Sequence, residues 1–513
     1  MQNKMKRKNL SFSCSVLLAC LISFVSCSPT HLSPSDTITT VISSPLSSLN
    51  PIYATDANTQ HINDLVHAAL LRTNENLVPE PQLAESVRAL NKTTWEFVLK
   101  KNCHFQNGRE IIVDDVEKTI ALFADKNNKS PFSENFRKIQ RFEKIDRYRF
   151  RLHTEKPEAA LLSDLTLMKI LPAEEYEEKK FQSHPVGAGR YSVIKLSDSE
   201  IVLEKFSNGC LEDGIMPKVK IKTVRDDLSK YLKLKNGEVD LVLNELDFRK
   251  LETIKADPKS PLAVQSDIGI SYNYLGVNLL NSKLRDIRVR RAIALSFDIP
   301  TLIHYKMRDL SLPARNLLAD ANYYANKKIP VLQRNLAEAK RLLNEAGYYN
   351  GENQKPPLKI SLKTSSNSTA IENGRVLAAQ AKEAGIILEL RSYDWGIFYN
   401  DVKTKNTELF LLRYVGVTDP SIYFEAFHSG EISRNNRTSY KNAEMDKLTT
   451  ASQNILEAEK RRAIVWKIQE LANRDLPFIS LWHMMNTVAF QKNIKNVKLY
   501  PNGSWETFLH LQK

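Results

Sequence analysis

Between residues 336 and 414 the hydrophobic period of the chain switches repeatedly between that of a helix and that of a strand, and few folds admit such a run. Asn335-Leu336-Ala337-Glu338 opens a capped helix that stops at Gly347, and Leu358, Ile360 and Leu362 alternate as a strand. A helix over 369–384 stops at Gly385, 386–391 is again a strand, 395–403 a short helix, and Leu409-Phe410-Leu411-Leu412 a buried strand. Units alternating in this order predict an α/β layer with partly parallel strands and right-handed crossovers. With 513 residues, 42% hydrophobic and 26% charged, the chain has the length for two or more domains of ordinary globular composition.

Upstream, 36–49 reads as a strand that passes into Ser-Pro turns ending at Asn50-Pro51. A helix over 60–71 follows, with Ile62, Leu65, Val66, Ala69 and Leu70 on one face. Trp95-Glu96-Phe97-Val98-Leu99 and Tyr148-Arg149-Phe150-Arg151-Leu152 alternate as half-buried strands. Between them Asp114 is placed to cap a helix that carries Val116, Ile120 and Phe123.

Residues 1–27 begin with Lys4, Lys6, Arg7 and Lys8, continue as an apolar run over 10–25, and close on Ser26-Cys27. This is the pattern of a secretory signal, and the run is shorter than the roughly 20 residues of a spanning helix. Leu17-Leu18-Ala19-Cys20 and Phe24-Val25-Ser26-Cys27 both resemble the lipobox of bacterial lipoproteins, in which the cysteine is acylated. Cys27 is the expected site, because cleavage before Cys20 leaves an apolar mature end, whereas Cys27 is followed by the Pro/Ser-rich tether 28–35. A plain secreted form is the alternative. Cys103 and Cys210, the remaining cysteines of the mature chain, are expected as free, buried thiols, with a single disulfide left open by the oxidising compartment.

Of the net charge of +14, four units are the basic residues of the signal, and the remainder is spread as mixed-sign clusters such as 250–259 and 457–462, not as a basic block interleaved with aromatics, so no nucleic-acid partner is expected. No His-x-x-x-His pair or Cys/His spacing suggests a metal, and no cofactor is implied. Gly187-Ala188-Gly189 lacks the third glycine of a dinucleotide loop and leads into the strand-like Tyr191-Ser192-Val193-Ile194, so it reads as a turn. There is no Gly-x-Ser-x-Gly elbow, Walker loop or Ser-x-x-Lys motif, and Asp114-Asp115 is explained by its place at a helix start; no catalytic residue is assigned.

Segments in order along the chain resemble family five of the bacterial extracellular solute-binding proteins, the oligopeptide, dipeptide and nickel receptors of ABC importers. They begin with Leu49-Asn50-Pro51 and Pro79-Glu80-Pro81-Gln82-Leu83-Ala84-Glu85-Ser86, then Trp95 to Leu99 with Phe105-Gln106-Asn107-Gly108-Arg109 and Asp114-Asp115-Val116. Pro185-Val186-Gly187-Ala188-Gly189-Arg190-Tyr191 and Asn236-Gly237-Glu238-Val239-Asp240 follow. Tyr274-Leu275-Gly276-Val277-Asn278 with Asp286-Ile287-Arg288-Val289-Arg290-Arg291-Ala292 is the fullest match, before 337–348 and Asn442-Ala443-Glu444-Met445-Asp446-Lys447-Leu448.

The resemblance implies an α/β, two-lobed periplasmic-binding-protein fold with mixed sheets, hinge crossovers near 274–278 and 482–486, and an extra inserted domain. The expected division is a signal over 1–27, the tether 28–35, a discontinuous first-lobe domain over 36–60, 175–278 and 484–513, an insert over 61–174, and a second lobe over 279–483. It implies a monomeric lipoprotein, held to the membrane only by its N-terminal lipid, that captures oligopeptides in the interlobe cleft and delivers them to an ABC permease. In peptide-binding relatives an extended ligand adds to strands at the cleft, so backbone bonds supply affinity. The positions matching cleft-facing segments are Tyr274, Trp395, Arg413, Tyr414, Asp419, Trp482, His483 and Met484. Those relatives carry an Asp, pairing with the ligand ammonium, where this chain has Gly416; Arg413 without that Asp favours a carboxylate-bearing ligand or a peptide anchored differently. The same architecture holding a metal chelate, haem or modified peptide is the alternative, and a secreted hydrolase a more distant one.

Overall fold

The structure is a computed structural model that describes residues 36–46, 48–172, 174–212, 214–349 and 353–513. The signal, Cys27 and the tether lie outside the described residues. The alternating segment forms as expected: helices Leu336–Glu345, Ser368–Glu383 and Trp395–Lys403 separate strands Leu358–Ser365, Ile386–Tyr393 and Leu409–Tyr414. Asn335 caps the first helix by accepting a hydrogen bond from the Glu338 amide at 3.0 Å. Gly385, at φ +85°, supplies the left-handed residue that ends the second.

Strand Leu358–Ser365 lies between the other two and parallel to both. The sheet continues through Leu262–Val277 and Phe478–Gln491 to the short strand Leu241–Leu243. Because successive side chains point to opposite faces, Leu275, Val277, Leu409, Leu411 and Ile479 enter one core with Val289, Ile293, Leu302 and Leu343. Tyr272, Tyr274, Phe410, Leu412 and Phe478 enter another with Tyr423, Phe427, Val465 and Ile468. Both faces of these strands are therefore buried, which accounts for the unbroken apolar run Leu409-Phe410-Leu411-Leu412.

A second sheet sets Thr37–Ile42 parallel to Lys218–Thr223, followed by Glu200–Lys205 and Tyr191–Leu196. A third, antiparallel sheet orders Ala84–Asn91, Thr94–Leu99, Arg149–Thr154 and Ile139–Lys144 and packs Phe97 and Phe150 with Val116 and Phe123 of helix Val113–Ala124.

Three local expectations are corrected. The helix expected over 60–71 is Ala57–Val66. It ends early because the Gly187-Ala188-Gly189 segment lies against its last turn: the Gly189 amide donates to the Val66 carbonyl at 3.0 Å, and a Cβ on Gly189 would sit 2.4 Å from the Leu65 carbonyl oxygen. The helix Val113–Ala124 is capped at Ile112, not Asp114; Asp115 accepts from the Ile112 amide at 3.1 Å and pairs with Arg109, while Asp114 reaches Lys144. Cys103 and Cys210 are not free thiols but form a disulfide, their Cα atoms 4.7 Å apart, which ties the third sheet's core to the loop before Lys218–Thr223.

The two long strands Leu262–Val277 and Phe478–Gln491 pair antiparallel, with register shifts between Ile268 and Tyr272 and between Asn273 and Tyr274. A Cβ on Gly269 would lie 2.4 Å from the Met484 carbonyl oxygen, so the bulged stretch needs glycine there for the backbones to approach. This irregular stretch lies upstream of the 274–278 segment, whose own pairing continues regularly to Gly276.

Candidate functional site

In α/β sheets ligands sit beyond the carboxyl ends of the strands. The parallel strands here end at Ser365, Tyr393 and Tyr414, and the chain leaves the last of them through Val415-Gly416-Val417. Among the described residues none of these three makes a backbone hydrogen bond. Val415 is 60% exposed, Gly416 stands at φ +71°, and a Cβ added to Gly416 would meet nothing within 4 Å.

Arg413 and Tyr414 project to opposite faces of that strand end. Arg413 is exposed, donates from Nη1 to Met484 Sδ at 3.1 Å, and has no carboxylate partner among the described residues. Desolvation by the surrounding chain lowers its pKa. Tyr414 stacks on Tyr274 with ring centroids 5.3 Å apart, and Tyr274 stacks in turn on Tyr272 at 5.4 Å. Tyr274 is fully buried, and burial raises its pKa well above that of a free phenol.

Trp395 opens the helix after strand Ile386–Tyr393, is 55% exposed, and lies parallel to Tyr399 at 5.3 Å. Trp482 is buried in the core beneath the sheet. His483 is buried as well, its Nε2 3.0 Å from the Asn316 carbonyl, and burial lowers its pKa to about 4, so it is neutral near pH 7.

Asp419 is fully engaged. Its Oδ1 accepts from the Ser421 amide at 2.8 Å and Arg461 Nη2 at 2.8 Å; its Oδ2 accepts from Arg461 Nη1 at 2.9 Å and Ser163 Oγ at 2.9 Å. A carboxylate has about four lone-pair sites, so no acceptor is left for a ligand. Burial pushes this carboxyl up, but Arg461 and Ser421 outweigh it and hold the pKa below the ordinary value. The same contacts bridge distant segments: Arg461 Nη1 reaches the Ala159 carbonyl at 3.4 Å, the Ala159 amide donates to Gln453 at 3.0 Å, and the Tyr323 amide donates to Asn76 at 3.1 Å.

The structure thus groups Arg413 with Met484 and Tyr274 with Tyr414, and sets Trp482, His483 and Asp419 into packing or hydrogen-bonded contacts. It adds residues that sequence reasoning missed. The Arg437 guanidinium lies 5.2 Å over the Tyr399 ring and 5.4 Å over the Tyr414 ring. Glu425 is exposed, yet burial and then Glu431 raise its pKa against Lys138 and Arg437. Tyr399, one turn after Trp395, was within reach of helical periodicity; Arg437 lies in irregular chain and carried no signal. Among the described residues no group of three or more His, Cys, Asp or Glu could hold a metal ion, and no helix is long and apolar enough to cross a membrane.

The family described as bacterial extracellular solute-binding proteins, family 5 Middle, matches residues 78–435. The oligopeptide-binding protein AppA of Bacillus subtilis is 23% identical over 88% of this chain and 87% of its own length. Heme-binding protein A of Haemophilus influenzae is 24% identical over 83% of this chain and 82% of its own. The crystal structure of NikZ from Campylobacter jejuni in complex with Ni(L-His) superposes with a TM-score of 0.76 at 22% identity, covering 94% of this chain and 100% of that one. The fold shared with these neighbours is the two-lobed α/β fold of periplasmic binding proteins.

Proposed function

Since the chain belongs to family 5 of the bacterial extracellular solute-binding proteins, we propose that it captures oligopeptides between its lobes and delivers them to an ABC permease. The observation that carries this reading is the strand end at Tyr414. Val415-Gly416-Val417 presents unpaired backbone groups with open space at Gly416, which suits an extended peptide adding alongside. Backbone pairing of this kind selects for main chain over side chain. Arg413 beside it, exposed and without a carboxylate partner, is the anchor for a ligand carboxylate. The binding set is Arg413, Tyr414, Met484 and Trp395 around that strand end, with Tyr274 supporting it from below; the insert over 61–174 and the lobe over 279–483 form the two walls.

The haem-binding and nickel-histidine relatives support a second reading in which the same cleft holds a metal chelate or haem. Native mass spectrometry of the purified protein separates the two. Copurified peptides of mixed sequence, released on denaturation, are the expected result. A single haem or metal-chelate mass, with no binding of a peptide library in calorimetry, overturns the peptide reading. The protein is taken to act outside the inner membrane as a monomer, tethered through an acyl group on Cys27, which is tested below.

A further inference from the structure

Two buried arginines of this chain have spent their donors. Arg461 grips Asp419 with both terminal nitrogens, and Arg290 donates to the carbonyls of Leu284, Arg285 and Asp475. Arg437 differs. Its guanidinium lies over the rings of both Tyr399, at 5.2 Å, and Tyr414, at 5.4 Å. Its Nη2 donates to the Tyr399 hydroxyl at 2.9 Å, and the guanidinium also faces the Tyr274 hydroxyl, so its known partners are neutral phenols. Among the described residues no carboxylate lies within ion-pair distance of it. Beside it lies the buried Tyr274 hydroxyl, which burial keeps protonated against the opposing pull of Arg437. A cation held against aromatic rings, with neutral partners and no carboxylate of its own, is organised for an anion that arrives from outside.

We infer that Arg437 is a second anion-reading group of the cleft, so that the preferred peptides carry an acidic side chain in addition to the carboxylate taken by Arg413. The inference rests on the peptide reading above. Arg413 and Tyr414 project to opposite faces of the strand end, so Arg413 and the Tyr414-bound Arg437 flank that end from its two sides. An extended ligand presents successive groups to opposite sides in the same way. Glu425 lies within the electrostatic reach of Arg437 without pairing to it, and is the internal carboxylate with which an acidic ligand competes.

The test uses an alanine oligopeptide series in which one Glu, or one Gln, is placed at each position in turn, titrated calorimetrically into the full-length mature protein. Wild type should bind the Glu peptide about ten-fold more tightly than the Gln peptide at one position of the series. Arg437→Gln should erase that preference while the Gln peptides keep their affinity within about two-fold, which also shows the variant to be folded. Arg437→Lys should restore part of the preference, since the charge returns without the planar fork. Glu425→Gln should raise it by removing the competing carboxylate. Equal binding of Glu and Gln peptides by wild type, or a preference that survives Arg437→Gln, overturns the role of Arg437 and leaves peptide capture standing. If no peptide of either series binds, the peptide reading falls and this inference with it.

Discussion

Arg461 and Asp419 form a bidentate ion pair, Nη1 to Oδ2 at 2.9 Å and Nη2 to Oδ1 at 2.8 Å, with the Arg461 side chain 3% exposed. The pair closes a contact between the Asp419-Pro420 turn and the segment around Ala159 and Ser163, where Ser163 donates to Asp419 and the Ala159 carbonyl accepts from Arg461. Asp419 therefore fastens parts of the molecule together where sequence position alone suggested a ligand contact.

Removing one partner of a buried pair strands the other charge, which typically costs about 3–5 kcal/mol. Arg461→Ala should lower the free energy of unfolding by that amount in urea titrations followed by circular dichroism. A loss below about 1 kcal/mol would mean that water screens the pair in solution as at an exposed site.

Asp164, on the helix Leu161–Leu167 beside this contact, has its pKa pushed up to about 7, chiefly by burial and further by Asp419 and Glu158, against Lys138 and a 2.8 Å hydrogen bond from Asn135. The unfolded chain releases this proton near the ordinary value of 3.8. Between these values the folded state holds a proton that the unfolded state has lost, so the contribution of Asp164 to stability falls as pH rises from about 4 to about 7 and is level above. Asp164→Asn should remove this slope. Relative to wild type the variant should gain nothing near pH 4 and on the order of 2–4 kcal/mol at pH 8, measured by denaturant unfolding across that range. Parallel pH profiles for the two proteins would place Asp164 in water.

The alternation over 336–414 was legible because local propensity, capping and burial agree there: Asn335 caps, Gly385 terminates, and the apolar period matches each element. The early end of helix Ala57–Val66 was not, because Ala69 and Leu70 continue the helical stripe and only the approach of Gly187 and Gly189 breaks it. The disulfide was hidden for a related reason. Cys103 and Cys210 stand 107 residues apart, and no local pattern encodes a contact made by two sheets meeting. At the site, residues on the strand end could be named from the motif order, but what each one touches could not: Asp419 finds Arg461 from a helix 42 residues on, and Tyr414 finds Arg437 from an irregular loop.

The lipid anchor is testable without structure. The apolar run, the small Ser26 and the polar stretch after Cys27 predict acylation there. Cys27→Ser should move the protein from the membrane to the soluble fraction and abolish labelling by a fatty-acid probe. A variant that stays membrane-bound and labelled would transfer the site to Cys20.

Arg413 separates ligand binding from folding most cleanly, because its side chain is exposed and its hydrogen bond is to the sulfur of Met484, a weak acceptor. Removing it should leave the unfolding free energy within about 0.5 kcal/mol of wild type, as for other surface changes. If it pairs with a ligand carboxylate in the closed cleft, truncation leaves that carboxylate unpaired at a cost of about 2–5 kcal/mol. Arg413→Ala should therefore weaken binding of a copurified peptide by roughly 30-fold or more in calorimetric titration. Arg413→Lys should recover part of the loss, since a lysine keeps the charge but not the bidentate geometry. Asp419→Asn, by contrast, should act mainly on stability, because all its acceptors are already taken inside the protein. Unchanged affinity in Arg413→Ala would put Arg413 outside the site, and a loss of affinity confined to Asp419→Asn at unchanged stability would return Asp419 to the ligand.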